Sequence, residues 1–117
     1  MKRTFSLALA VFVFTTQMIA QSLEEGKKFM YYERFASARD VFQKLVTAKP
    51  ADAEANYWLG QAYIGLEDVP KAKQVYQTAL QNNGNAPLLL VGMGEIELLE
   101  HKTTSNKGAF PLFCKAV

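Results

Sequence analysis

The sequence predicts an all-α protein, a helical-hairpin solenoid of about two and a half repeats. Three observations predict it. Apolar and small residues recur in steps of three and four along most of the chain, and no stretch alternates with period two for long enough to form a strand. Gly26, Gly60 and Gly94 are evenly spaced, and the same interval separates Ala38 from Ala72, Phe42 from Tyr76, Leu45 from Ala79, and Phe29 from Tyr63. Helix-stopping segments, Pro50, EDVPK at 67–71 and QNNGNAP at 81–87, separate the periodic stretches. A fixed period of about 34 residues built from two helices is the signature of stacked hairpins.

The first twenty residues, MKRTFSLALAVFVFTTQMIA, are of a different kind. Lys2 and Arg3 precede an apolar run from Phe5 to Phe14, then Thr15, Thr16, Gln17 and Ala20. That order predicts a secretory signal peptide over residues 1–20, cleaved after Ala20, and hence an exported chain, periplasmic or extracellular. A membrane anchor is the competing reading, but the apolar run is shorter than the roughly 20 residues a bilayer requires. Loss of Lys2 and Arg3 leaves 11 basic residues against 11 acidic ones. A near-neutral chain without a basic, aromatic-interleaved cluster carries no nucleic-acid footprint.

The repeat region is expected over residues 21–101. Phe35, Ala38, Val41, Phe42, Leu45 and Val46 line one face of a helix that Pro50 terminates. Asp52 is placed to cap the next helix, which carries Tyr57, Trp58, Leu59, Ala62, Tyr63 and Leu66. Asp68 caps a further helix, with Pro70 in its first turn, where proline is tolerated. Val69, Ala72, Val75, Tyr76, Ala79 and Leu80 form its apolar side. Pro87 opens a last helix expected to run to about Leu99. Gly60, inside an otherwise good helix, is expected at a close helix–helix contact, where leucine would overpack and alanine would be mild.

These residues resemble the tetratricopeptide repeat (TPR), whose pattern runs Trp, Leu-Gly, Tyr, Ala, an aromatic residue, Ala and Pro. The middle repeat supplies Leu59-Gly60, Tyr63, Ala72, Tyr76 and Ala79, with Asn56 at the tryptophan position. The first supplies Gly26, Phe29, Ala38, Phe42 and Pro50, with Glu25 where leucine is usual. The third supplies Met93-Gly94 and then departs, with Glu97 at the aromatic position. The resemblance implies two antiparallel helices per repeat and a concave groove, lined by the first helix of each hairpin, that holds a peptide or protein. Carried over by position, the partner-binding groove comprises Leu23, Lys27 and Met30, then Tyr57, Gln61 and Ile64, then Val91, Glu95 and Leu98. The subclass that clamps chaperone carboxylates with Lys, Asn and Arg fits poorly, since Lys27 is the one basic residue in this set.

The third repeat breaks down after its first helix. Phe110 keeps the repeat phase, but Asn106 takes the small-residue position, and Gly108 and Pro111 disfavour a helix. Residues 102–117 are therefore expected to be an irregular tail, a truncated third repeat. The apolar last helix is then left without a partner. A longer array cut short is the favoured account; a self-associating or partner-covered face over residues 88–99 is the alternative.

Chemistry is not indicated. The sequence offers no nucleophile paired with histidine and acid, no phosphate-cradling glycine loop and no ligand cluster of metal spacing, so no catalytic residue, metal or cofactor is expected. Glu95, Glu97 and Glu100 read as a solvated helix face, and His101 as a residue near a helix C-terminus. Cys114 is the one cysteine; four residues from the end it stands where prenylation acts, but it reads better as a free thiol able to cross-link chains. The expected function is a non-catalytic protein–protein interaction scaffold of the bacterial cell envelope. The alternatives are the docking part of a longer enzyme or enzyme accessory and, if the first twenty residues stay attached, a cytosolic adaptor.

Overall fold

A computed structural model describes the backbone of residues 22–108 and the side chains of residues 22–102. The expected signal peptide, the cleavage site, Phe110 and Cys114 lie outside the described residues. Five helices follow one another: α1 (22–31), α2 (Phe35–Ala48), α3 (Ala53–Gly65), α4 (Val69–Asn82) and α5 (Pro87–Gly108). There is no strand among the described residues.

Local chemistry sets the boundaries. The Asp52 carboxylate caps α3 by accepting from the backbone N–H groups of Glu54 at 3.0 Å and Ala55 at 3.2 Å. Asp68 caps α4 by accepting from Lys71 N–H at 3.3 Å, with proline in the first turn. The two hairpin turns are copies of each other, one repeat apart. Glu33 and Glu67 adopt left-handed φ of 57° and 62°. Arg34 N–H donates to Phe29 O at 2.8 Å, and Asp68 N–H to Tyr63 O at 2.9 Å. These bonds satisfy helix-end carbonyls, as a left-handed C-terminal turn should.

The core is two layers of the same design. In the first, Ala38, Phe42 and Leu45 of α2 meet Ala55, Leu59 and Ala62 of α3, with Leu23, Phe29 and Met30 of α1 against them. In the second, Ala72, Tyr76 and Ala79 of α4 meet Leu89, Ile96 and Met93 of α5. The residues of α5 are those of α3 advanced by one repeat.

Glycine lets aromatic rings sit between helices. A Cβ at Gly26 would lie 2.6 Å from Cζ of Phe42, and one at Gly60 would lie 2.5 Å from the Tyr76 hydroxyl oxygen and closer still to its ring. The Tyr76 ring is also pressed against α5, but at Gly92, where a Cβ would lie 2.6 Å away. Gly94, in phase with Gly26 and Gly60, is different: among the described residues, a Cβ there meets nothing within 4 Å. Because rigid ring atoms stand so close to Gly60, alanine at that position is no longer expected to be mild.

The last helix departs from expectation. It does not stop near Leu99 but continues to Gly108, so the expected irregular tail is helical over 102–108. Its sequence lacks what ends α1 and α3. Glu97 stands where Phe29 and Tyr63 stand, and Lys102 and Thr104 replace the capping Asp68 and Pro70. His101 consequently sits inside a helix rather than near its end. No helix among the described residues is long and apolar enough to cross a membrane.

Candidate partner-binding faces

The nine groove residues fall on α1, α3 and α5 and occupy three settings. Tyr57, Gln61 and Glu95 are brought together around Tyr76. The Gln61 side-chain amide donates to Glu95 Oε2 at 2.5 Å, joining equivalent positions of consecutive repeats, and to the Tyr76 hydroxyl at 3.2 Å. The Tyr76 hydroxyl in turn donates to the carbonyl of Tyr57 at 3.2 Å. The Tyr57 ring stacks on Tyr76 at 6.3 Å and meets Trp58 edge-on at 5.5 Å. Burial raises the Tyr76 pKa well above the ordinary tyrosine value, against the opposing pull of the Gln61 hydrogen bond.

Lys27 belongs to a separate cluster. Its ammonium lies 2.9 Å from Glu54 and 3.2 Å from Glu24, and 5.7 Å from the centre of the Trp58 ring. The hydrogen bond to Glu54, more than any other contact, raises the Lys27 pKa. A lysine so engaged offers a partner a preorganised ion-pair cluster, one ammonium held between two carboxylates, rather than a free positive charge.

The remaining residues are packing groups or open surface. Leu23 and Met30 lie against the first core layer, and Ile64 against the second. Val91 and Leu98 are 62% and 72% exposed, on the side of α5 opposite its buried Leu89 and Ile96. With Leu88 and Leu90 they give α5 a second apolar side.

Several features escape a reading of periodicity. Asn56, at the tryptophan position of the repeat, is buried and donates its amide to Pro50 O at 3.0 Å and Asp52 O at 2.8 Å. It thereby ties the inter-hairpin turn to α3. Polar occupancy of an apolar position was the available signal. Lys73 of α4 grips Glu100 of α5 at 2.9 Å, so Glu95 and Glu100 brace the helices and Glu97 alone of the three stays a solvated carboxylate. A cleft of about 260 Å³ opens between α2 and α4 over α3, with Leu59, Tyr63, Val46 and Val75 among its lining and Gln43, Gln74 and Lys71 also bordering it. No cluster of three potential metal ligands occurs among the described residues.

Stacked antiparallel hairpins with an aromatic ring packed on glycine in each define a class of helical repeat proteins whose repeats serve as protein–protein interaction scaffolds. The tetratricopeptide repeat family model matches residues 23–87, more than half of the chain, and the chain belongs to that family. A curated relative, the general transcriptional corepressor trfA of Dictyostelium discoideum, is 34% identical over 68 residues, which is 56% of this chain and 5% of that protein. The chain thus spans about one-twentieth of the length of the curated relative it matches. No solved structure matches the chain.

Proposed function

We propose that the chain is a non-catalytic scaffold of the bacterial cell envelope, exported by its first twenty residues, that holds a peptide or protein partner along the first helices of its hairpins. The observation that carries the groove reading is the Gln61–Glu95 bond, which sets the same position of two successive repeats side by side. A ligand lying across α3 and α5 then meets Tyr57, Gln61 and Glu95 as one surface rather than as scattered groups. The charge order of residues 1–20 supports export.

The test is a pull-down from envelope extract with the tagged full chain, repeated with Gln61→Arg and Lys27→Glu. One partner retained by the native chain and lost by both variants is the expected result. A partner indifferent to both would remove the groove from the account. N-terminal sequencing of the fractionated protein tests export: a species retaining Met1 in the cytoplasm would end that part of the reading.

A further inference from the structure

We infer that the outward side of α5 accepts an amphipathic helix from a different protein, with an aromatic ring over Gly94 and a basic side chain against Glu97. This rests on the scaffold reading and adds to the groove a second face with its own ligand chemistry.

The repeat itself states what covers such a face. Phe42 fills the space over Gly26 and Tyr76 fills that over Gly60, each at the same offset after its glycine, whereas no described residue fills the space over Gly94. Val91 and Leu98, one turn to either side of Gly94, are exposed, while their counterparts Tyr57 and Ile64 pack into the second core layer. The covering helices share a pattern: a small residue, an aromatic four later and an apolar group three after that. They read Ala38, Phe42, Leu45 and Ala72, Tyr76, Ala79.

Charge sharpens the choice. In the second hairpin the Lys71 ammonium, from the first turn of the covering helix, lies 5.6 Å from the centre of the Tyr63 ring. One repeat later Tyr63 is replaced by Glu97, which is exposed. A cation five residues before the incoming aromatic therefore meets a carboxylate where its counterpart meets a ring, and charge complementarity of this kind selects partners.

The occupant is a foreign helix rather than a second copy. The helices of this chain that bear the pattern hold Ala38, Phe42, Ala72 and Tyr76 at 0% exposure, so a copy would have to open its own hairpin to donate one. Nor does this chain turn back over α5 within the described residues, because α5 runs on through His101, where its counterpart Glu67 makes the turn.

The probe is a stapled, fluorescein-labelled peptide copying residues 68–83, which carries Lys71 and Tyr76, with helicity verified by circular dichroism. It is titrated into the full chain and followed by fluorescence anisotropy. Saturable one-to-one binding is expected. Gly94→Leu should weaken it by about tenfold or more without lowering the melting temperature, since no described residue lies within 4 Å of a Cβ at Gly94. Glu97→Lys should weaken it several-fold at low salt and less at high salt. A peptide with Tyr76→Ala should not bind.

Absence of saturable binding, or binding that Gly94→Leu leaves unchanged, overturns the inference. So does binding that appears only after residues 109–117 are deleted, which would assign the face to the chain's own end. A sedimenting dimer abolished by Gly94→Leu would assign it to a second copy. If Gln61→Arg and Lys27→Glu abolish binding while Gly94→Leu does not, the α5 face falls and the groove survives.

Discussion

Alanine in place of Gly60 and alanine in place of Gly94 should move stability in opposite directions, although both sit inside helices one repeat apart. Each substitution gains about 1 kcal/mol of helix propensity. At Gly94 that gain stands alone, because the added methyl meets nothing within 4 Å among the described residues. At Gly60 the methyl would lie 2.5 Å from the Tyr76 hydroxyl oxygen and closer still to Cζ and Cε1, so the ring must move. It has nowhere to go. Tyr76 is fully buried, its hydroxyl is held by Tyr57 and Gln61, and retreat from α3 drives it into α5 at Gly92. Overpacking of this kind costs about 1–3 kcal/mol. Subtracting the two variants cancels helix propensity and leaves the ring clash alone, about 1–3 kcal/mol in favour of Gly94→Ala. Urea unfolding followed by Trp58 fluorescence and by circular dichroism measures it, and each kcal/mol corresponds to roughly 4–8 °C in melting temperature for a domain of this size. Gly60→Leu should be worse than Gly60→Ala. If both alanine variants raise the urea midpoint equally, Tyr76 is not wedged between α3 and α5, and the packing described for the second hairpin is wrong.

Three further outcomes are expected. Glu67→Gly should stabilise the chain by about 0.5–1 kcal/mol, because left-handed backbone strains a residue with a Cβ and glycine's greater unfolded freedom offsets only part of the relief; φ at Glu67 is 62°, and an unchanged urea midpoint would refute the strain. Asn56→Ala should cost about 1–3 kcal/mol by removing the two part-buried hydrogen bonds from its amide to the Pro50 and Asp52 carbonyls, and a thermal scan that matches the native chain would count against those bonds. The raised Tyr76 pKa predicts alkaline lability with a defined sign: below pH about 10 the tyrosine is neutral in both states, and above it the unfolded chain loses the proton first. Stability should then fall by up to about 1.4 kcal/mol per pH unit beyond what Tyr76→Phe shows, as measured by urea unfolding between neutral and alkaline pH. Identical slopes for the two proteins would mean that Tyr76 reaches solvent.

The two complete hairpins were legible because each contact that builds them is repeated. Phe42 on Gly26 and Tyr76 on Gly60 are one contact written twice, one repeat apart, and translation symmetry in sequence becomes translation symmetry in space. The caps were legible for a local reason: Asp52 and Asp68 reach N–H groups only two or three residues away. What escaped depends on neither. The Lys73–Glu100 brace joins residues that no period relates, and Gly92 meets Tyr76 through the pitch between α4 and α5, which the repeat count does not encode. The groove was legible as positions but not as states, since the same register that places Lys27 also places Glu54 beside it. The end of α5 escaped for the complementary reason. Proline, glycine and asparagine count against a helix after Leu99, whereas α1 and α3 stop because an aromatic residue, a left-handed turn and, at Asp68, a cap coincide. With Glu97, His101 and Lys102 at those places none of the three is supplied, and each added residue contributes one more backbone hydrogen bond, so propagation wins. Restoring the signal should therefore end the helix: His101→Gly together with Lys102→Asp and Thr104→Pro is expected to shorten α5 by about two turns. Carbon chemical shifts of residues 103–108 report this, and helical values that persist in the triple variant would show that packing, not the missing turn, carries α5 onward.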